Sequence, residues 1–249
     1  MRQHGSVNHG YRDDLAYVHD VGHTDFVERA SPGLLGLLDQ GGLHEGFVVV
    51  LGCGSGVWAR NLVDAGYEVR GMDLSPAMVR LARQRVPEAR FDVGSFVDFD
   101  IPPCDAITCI GECFNYTFDD RVDRKTLKRV FKRVWEALPA GGLFVFDVIE
   151  PGIVPTDSPV RSFREGDDWT VLVELAEDRR RSRATRRIVS FRQVGDTYRR
   201  SEETHPLRLY KGTELATDLR DIGFRVRLLR SYGSQHFRRA HVGLIARKP

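Results

Sequence analysis

The run Val48-Val49-Val50-Leu51-Gly52-Cys53-Gly54-Ser55-Gly56 constrains the fold more than any other part of the chain. Its apolar residues do not alternate with polar ones, which suits a parallel strand covered on both faces. The glycines that follow let the backbone take φ > 0 and approach a ligand with no Cβ in the way. Trp58, Leu62 and Val63 then suggest a helix, so the segment reads as strand, tight turn, helix. A second strand pattern, Glu68-Val69-Arg70-Gly71-Met72-Asp73, ends in an acid about twenty residues after Gly52, where doubly wound folds hold a ribose diol. The glycines are spaced G-x-G-x-G, and Val57 stands where a dinucleotide fingerprint needs its third glycine, which weakens a pyrophosphate reading.

With this turn and the acid after it, the chain resembles the class I S-adenosylmethionine-dependent methyltransferases. The likeness continues in Asp73-Leu74-Ser75-Pro76-Ala77-Met78, where Ser75 as N-cap and Pro76 at the first helical position open a helix. The resemblance implies that Gly52, Cys53, Gly54 and Gly56 pack against the methionine part of S-adenosylmethionine and that Asp73 holds its ribose. It implies also that Leu74 and Met78 flank the adenine and that Gly111 borders the cofactor. Family members usually carry an acid for the adenine amino group after strand three. Ser95 stands there instead, so the contact is assigned to Ser95, to the Phe96 amide and to stacking by Phe96, unless Asp98 reaches back.

The remaining elements follow by period. Ser31-Pro32 starts a short helix with Leu34, Leu35, Leu37 and Leu38, stopped by Gly41-Gly42. A helix from Pro76 to about Gln84 leads into a short strand, Ala89 to Val93. Strand four, Cys104 to Ile110, ends at Gly111-Glu112-Cys113-Phe114-Asn115-Tyr116, which should line a crevice at the carboxyl ends of the strands. Leu127, Val130, Phe131, Val134 and Leu138 mark an amphipathic helix, and Leu143 to Val148 a fifth strand. From Val160 to Tyr210 the pattern alternates, as antiparallel strands do. The core resumes with a helix from Thr213 to Ile222 and strands at Phe224–Leu229 and His241–Arg247. The expected fold is α/β: a doubly wound, Rossmann-like, mostly parallel sheet with a C-terminal antiparallel hairpin and an inserted antiparallel β lid. Residues 1–150 make an N-terminal lid segment and cofactor-binding core, 151–210 the insertion over the substrate, and 211–249 the return to the core.

Composition narrows the partners. Lys and Arg total 37 against 35 acids, a net charge of +2 over 249 residues, which gives little pull towards nucleic acid or membrane. No apolar run approaches the ~20 residues of a membrane span, and Met1-Arg2-Gln3-His4-Gly5 lacks the core of a secretory signal, so a cytoplasmic location is expected. Cys53, Cys104, Cys109 and Cys113 lack paired C-x-x-C spacing and read as free thiols, with no metal expected. The arginines between Asp178 and Arg187 read as a hairpin tip kept soluble by charge. The Asn/Asp-Pro-Pro-Tyr/Phe of exocyclic-base methyltransferases is absent after strand four, where Gly111-Glu112-Cys113-Phe114 stands.

Methyl transfer from a sulfonium is an in-line displacement, so the protein mainly positions the nucleophile. A general base adds roughly 10²- to 10⁴-fold if the acceptor begins protonated. Glu112 ranks first for that role and His205 second, with Asp147 and His236 also considered. Tyr11, Asn115, Tyr116 and Asp147 are expected to contact the substrate. The reading is a methyltransferase that moves a methyl group from S-adenosylmethionine to an oxygen or nitrogen of a small molecule, leaving S-adenosylhomocysteine. The alternatives are an RNA or protein methyltransferase docking through the arginine run and a non-catalytic binder of the cofactor.

Overall fold

A computed structural model describes residues 10–155 and 158–249; the first nine residues of the expected 1–150 unit lie outside the described residues. The central sheet consists of β1 (Gly46–Leu51), β2 (Tyr67–Asp73), β3 (Arg90–Val93), β4 (Ala106–Cys109), β5 (Leu143–Ile149), β10 (Arg225–Leu229) and β13 (His241–Arg247). Their order is β10-β13-β5-β4-β1-β2-β3. All neighbours run parallel except β13, which is antiparallel to both β5 and β10. From β1 the chain moves outward to β3, then returns to place β4 on the other side of β1. The carboxyl ends of β1 and β4 therefore part at a topological switch point and leave a crevice.

Strand parity explains the unbroken apolar runs. Val49 and Leu51, Ile107 and Cys109, and Phe144 and Phe146 join the core under α5 (Arg124–Ala137) and α6 (Gly212–Ile222). Their neighbours Val48 and Val50, Ala106, and Leu143 and Val145 join a second core under α2 (Asp25–Gln40) and α3 (Val57–Asp64). Both faces are covered, so both parities must be apolar. The helix expected to start at Ser31-Pro32 in fact begins at Asp25, with Pro32 inside it. Ser31 Oγ donates to the Val27 carbonyl at 2.7 Å, and Phe26 and Val27 extend the apolar face upstream. Packing along that face outweighs the missing proline N–H.

The insertion is a four-stranded antiparallel sheet of β6 (Val160–Glu165), β7 (Trp169–Asp178), β8 (Arg183–Val194) and β9 (Thr197–Arg208). Leu15 and Val18 of α1 (Asp13–Gly22) pack against Trp169, Val171 and Ile188 on its inner side. The N-terminal helix thus packs with the insertion as well as with α4 (Pro76–Arg85), where Ala16 meets Ala77 and Met78. Between β10 and β13 lies a small hairpin, β11 (Ser231–Tyr232) and β12 (Gln235–His236), too short to be seen in the pattern of the chain. Among the described residues no helix is long and apolar enough to cross a membrane.

Candidate active site

A cavity of about 680 Å³ opens where β1, β2 and β4 end and continues beneath the lid. That volume is within the roughly 300–1,000 Å³ of small-molecule sites. Gly52 and Gly54 turn with φ of 70° and 53°. A Cβ on Gly54 would meet no atom within 4 Å, whereas one on Gly52 would lie 2.5 Å from Cys113 Sγ. Asp73 ends β2 beside the turn; its carboxylate accepts from Gly54 N and Ser75 N, each at 2.9 Å. Burial pushes the Asp73 carboxyl up, opposed by bonds from the Ser75, Gly54 and Leu74 amides. Ser75 caps α4 by accepting from Met78 N at 3.1 Å and donates to the Tyr11 carbonyl at 2.8 Å. The helix cap thereby ties the N-terminal segment to the cavity.

Cys53, Leu74, Met78, Ser95, Phe96 and Gly111 also line this end. Gly56 does not: it leads into α3 at φ 83°, and a Cβ there would come within 3.0 Å of Ala82, so close helix packing requires the glycine. Asp98 points elsewhere and takes Arg121 at 2.6 and 3.0 Å. The acid beside Ser95 is instead Asp119, a cavity-lining residue 2% exposed. Burial would raise its carboxyl, but bonds from Arg121 and the Ser95 hydroxyl lower it. Open space over Gly54, a strand-end carboxylate and apolar walls from Leu74, Met78 and Phe96 together suit a nucleoside with a short polar tail.

The other end is made of ionised side chains. Asp147 on β5 is fully buried and accepts from Gly111 N at 2.9 Å and Glu112 N at 2.8 Å. It also accepts from Tyr232 Oη at 3.1 Å and bonds His241 Nε2 at 3.2 Å. These bonds hold Glu112 at φ 50°, a left-handed conformation that costs a non-glycine residue energy. Asp147, expected to touch substrate, therefore positions Glu112 and does not line the cavity. Glu112 faces Arg186 at 3.2 Å and His241 at 3.4 Å. Burial alone would raise its carboxyl; the His241 bond and the Arg186 charge override that and bring it to about 2. Burial would lower His241, but its two carboxylate partners hold it at about 10. A carboxylate at about 2 has little driving force to take a proton. The first-ranked general base is an ion-pair partner at neutral pH.

His205 is corrected too. It is fully buried outside the cavity lining, with Nε2 2.9 Å from Glu203, and rings of Tyr11, Tyr116 and Phe118 enclose it. Glu203 also accepts from Tyr11 N at 2.7 Å and Arg12 N at 2.8 Å, so this pair anchors the N-terminal segment on β9. Asn115 is spent on backbone: its amide nitrogen donates to the Ile149 and Arg208 carbonyls, and its oxygen accepts from Ile149 N at 2.9 Å. His236 is exposed on β12, and Tyr17 turns to Asp168 and Arg192. Tyr11 and Tyr116 do line the cavity, their hydroxyls 3.0 Å apart, with Arg186 donating to Tyr116 at 2.7 Å.

Several cavity residues went unread in the sequence, Arg186, His241 and His19 among them. Arg186 belongs to the arginine run assigned to a hairpin tip, yet on β8 it shares parity with buried Ala184 and Ile188. A cation at an inward position of an alternating strand was the available signal. His241 gave none, since its carboxylates come from β5 and from the turn after β4. His19 on α1 lies four residues before His23, the C-cap of that helix, and both line the cavity. Burial and the charge of His23 depress His19 to about 4, and among the described residues its Nδ1 has no hydrogen-bond partner. Glu112, Asp147 and His241 bring ligand-type atoms within 4.8 Å of one another. In this structure the three pair with one another, and Asp147 also takes the Gly111 and Glu112 amides.

Comparison with known proteins agrees with this geometry. A family model described as a methyltransferase domain matches residues 48–142. The dTDP-4-amino-2,3,4,6-tetradeoxy-D-glucose N,N-dimethyltransferase of Saccharopolyspora spinosa is 31% identical over 183 residues, 71% of this chain and 70% of that protein. Glycine N-methyltransferase of Rattus norvegicus is 32% identical over 128 residues, 46% of this chain and 43% of that one. In fold, an S-adenosylmethionine-dependent methyltransferase from Clostridium acetobutylicum superimposes with a TM-score of 0.78 at 20% identity, covering 94% of this chain and 97% of that one. Sheet order, glycine turn and relatives concur, and the chain belongs to the class I S-adenosylmethionine-dependent methyltransferases.

Proposed function

We propose that this enzyme methylates the nitrogen of a small-molecule amine bound between the lid and the ends of β4 and β5. The observation that carries the choice of nitrogen is the set of hydrogen-bond acceptors on that wall. Glu112 is held anionic, the neutral His19 ring leaves its Nδ1 without a partner among the described residues, and the Tyr11 and Tyr116 hydroxyls lie beside them. Glu112 and the His19 ring give an amine places to donate, beside the Arg186 and His241 donors that share the wall. The two relatives named above act on the amine of a sugar nucleotide and on that of glycine, according to their names.

In this reading Gly52, Gly54, Asp73, Leu74, Met78, Ser95 and Phe96 hold S-adenosylmethionine, with Asp119 supporting Ser95. Bound there, it supplies an electrophilic methyl group. The chain's own work is positioning. The acceptor reacts as the neutral amine: Glu112 and the His19 ring take its N–H bonds so that its lone pair faces the methyl group, the positive charge passes from sulfur to nitrogen, and α1 with the lid excludes water. Holding the partners in line supplies several kcal/mol of the barrier. Mass spectrometry after incubation with S-adenosylmethionine and a panel of glycine, free amino sugars and nucleotide-linked amino sugars tests the reading. A methylated amine is expected; transfer to hydroxyl groups with every amine inert would overturn it.

A further inference from the structure

Beside Glu112 the lid turns from ionised to apolar within one strand repeat. Arg186, which meets Glu112 at 3.2 Å, stands directly opposite Leu175 on β7, and Leu175 stands opposite Val160 on β6. The neighbouring row across the sheet is Ile188, Val173 and Ser162. All six line the cavity, and alternate residues of a strand share a face, so the two rows make one surface. Packing fixes it at both ends: Leu175 and Ile153 rest on a cluster that contains Ile149, and Val173 on one that contains Ile188. The polar groups of this face are engaged. Arg186 pairs with Glu112 and donates to Tyr116 at 2.7 Å, and Arg164, one row further on, faces Asp25 at 3.5 Å. Among the described residues of the lid face, that leaves the Ser162 hydroxyl to serve a hydroxylated ligand.

A hydroxyl moved from water onto such a surface loses hydrogen bonds and regains few, whereas a hydrocarbon face gains by covering it. Resting on the amine reading above, we infer that the acceptor carries its amine on an apolar ring, aliphatic or aromatic, and that Val173 and Leu175 select for that ring. The nitrogen lies against Glu112 and His19, and the ring covers the two rows beside Arg186. Contact there fixes the direction of the C–N bond without touching the nitrogen, so it contributes orientation as well as affinity. A heavily hydroxylated acceptor is disfavoured by the groups it would leave unpaired.

The test is calorimetry on the full chain saturated with S-adenosylhomocysteine. The titrants are ethylamine, cyclohexylamine and trans-4-aminocyclohexanol, which carry the same charge in water, together with ethanol and cyclohexanol. A buried methylene strengthens binding by about fourfold, so cyclohexylamine should exceed ethylamine by about tenfold or more. The added ring hydroxyl should weaken binding by about fivefold. In the double variant Val173→Thr/Leu175→Asn the ratio of cyclohexylamine to ethylamine should fall to about threefold, and Val173→Thr alone, which keeps the shape of the side chain, should lower it part of the way. Leu172→Asn, on the outer face of the same strand, should leave the ratio unchanged. Equal S-adenosylhomocysteine affinity in these proteins shows that the fold is intact. Equal binding of ethylamine and cyclohexylamine by the parent, aminocyclohexanol as tight as cyclohexylamine, an undiminished ratio in the double variant, or no binding of either cyclohexyl compound at millimolar concentration overturns the inference. Failure of the amine reading is a separate result: cyclohexanol then binds as tightly as cyclohexylamine and more tightly than ethanol, and the acceptor panel shows transfer to hydroxyl groups alone.

Discussion

The two ends of the cavity are built from different materials. Around Asp73 the work is done by backbone: left-handed glycines, the Gly54, Ser75 and Leu74 amides on one carboxylate, and a helix cap. Around Glu112 it is done by side chains from distant parts of the chain, with Arg186 on the lid, His241 on the last strand and Asp147 on β5. A backbone cradle tolerates changes in its neighbours, because its donors are set by local φ and ψ. An ion-pair cluster does not, since removing one charge strands the others in a medium that solvates them poorly.

The largest expected effect therefore belongs to Asp147→Ala. It removes the acceptor for Gly111 N, Glu112 N and Tyr232 Oη and leaves His241 short of a counter-ion. Breaking a buried charged pair costs ~3–5 kcal/mol, which urea unfolding would read. A loss below ~1 kcal/mol would mean that the cluster is not the structural unit described here.

On the other side, Asp73→Ala should weaken S-adenosylhomocysteine by ~1.5–3 kcal/mol, the range for a hydrogen bond to a charged group. Calorimetry that shows unchanged affinity would remove Asp73 from the cofactor contacts. The glycines sharpen the distinction. Both changes strain a left-handed backbone; Gly54→Ala adds a methyl group in open space and should also cost ligand affinity, while Gly56→Ala also meets Ala82 and should cost more stability.

The same contrast decides what could be read from residue order. The glycine turn, Asp73 and the Ser75-Pro76 cap are neighbours in sequence, so their joint meaning is local and legible. The parallel core was legible as well, because strands covered on both faces show as runs such as Val48–Leu51. Glu112 was placed correctly at the end of β4, but its protonation state depends on Arg186 and His241, 74 and 129 residues further along. Nothing in Gly111-Glu112-Cys113 reveals those partners. His205 misled for a related reason: a histidine on an insertion strand resembles a base until Glu203 and three aromatic rings are found to enclose it.

Stability against pH separates the groups of the ionised end. His241 is raised from 6.5 to about 10, so its contribution is complete below about 6.5 and is lost as pH rises towards 10. Glu112 is lowered from 4.5 to about 2, so its contribution is present above about 4.5 and is lost as pH falls towards 2. His19, lowered from 6.5 to about 4, acts as a cost on the acid side. There the unfolded chain binds a proton first, and stability declines between about 6.5 and 4. Urea midpoints across that range should become less steep in His19→Asn, with the part due to buried His23 and His205 remaining, while the alkaline decline persists. An undiminished acid slope in that variant would assign it to other groups.

The smallest effect is expected at the tip between β7 and β8, where sequence reading had placed the whole arginine run. Arg180 and Arg181 are exposed there, and Arg181 meets Asp178 only at 3.7 Å. Such a pair contributes ~0–1 kcal/mol in water. Arg180→Ser/Arg181→Ser should leave stability within ~0.5 kcal/mol of the parent and cofactor affinity unchanged. Arg186→Ser, from the same run, should lose acceptor methylation and destabilise the fold, because its charge neutralises Glu112 inside the cavity. If the tip pair proved the more damaging, the run would act as a docking strip, and the division between a solvated tip and an inward-facing Arg186 would fail.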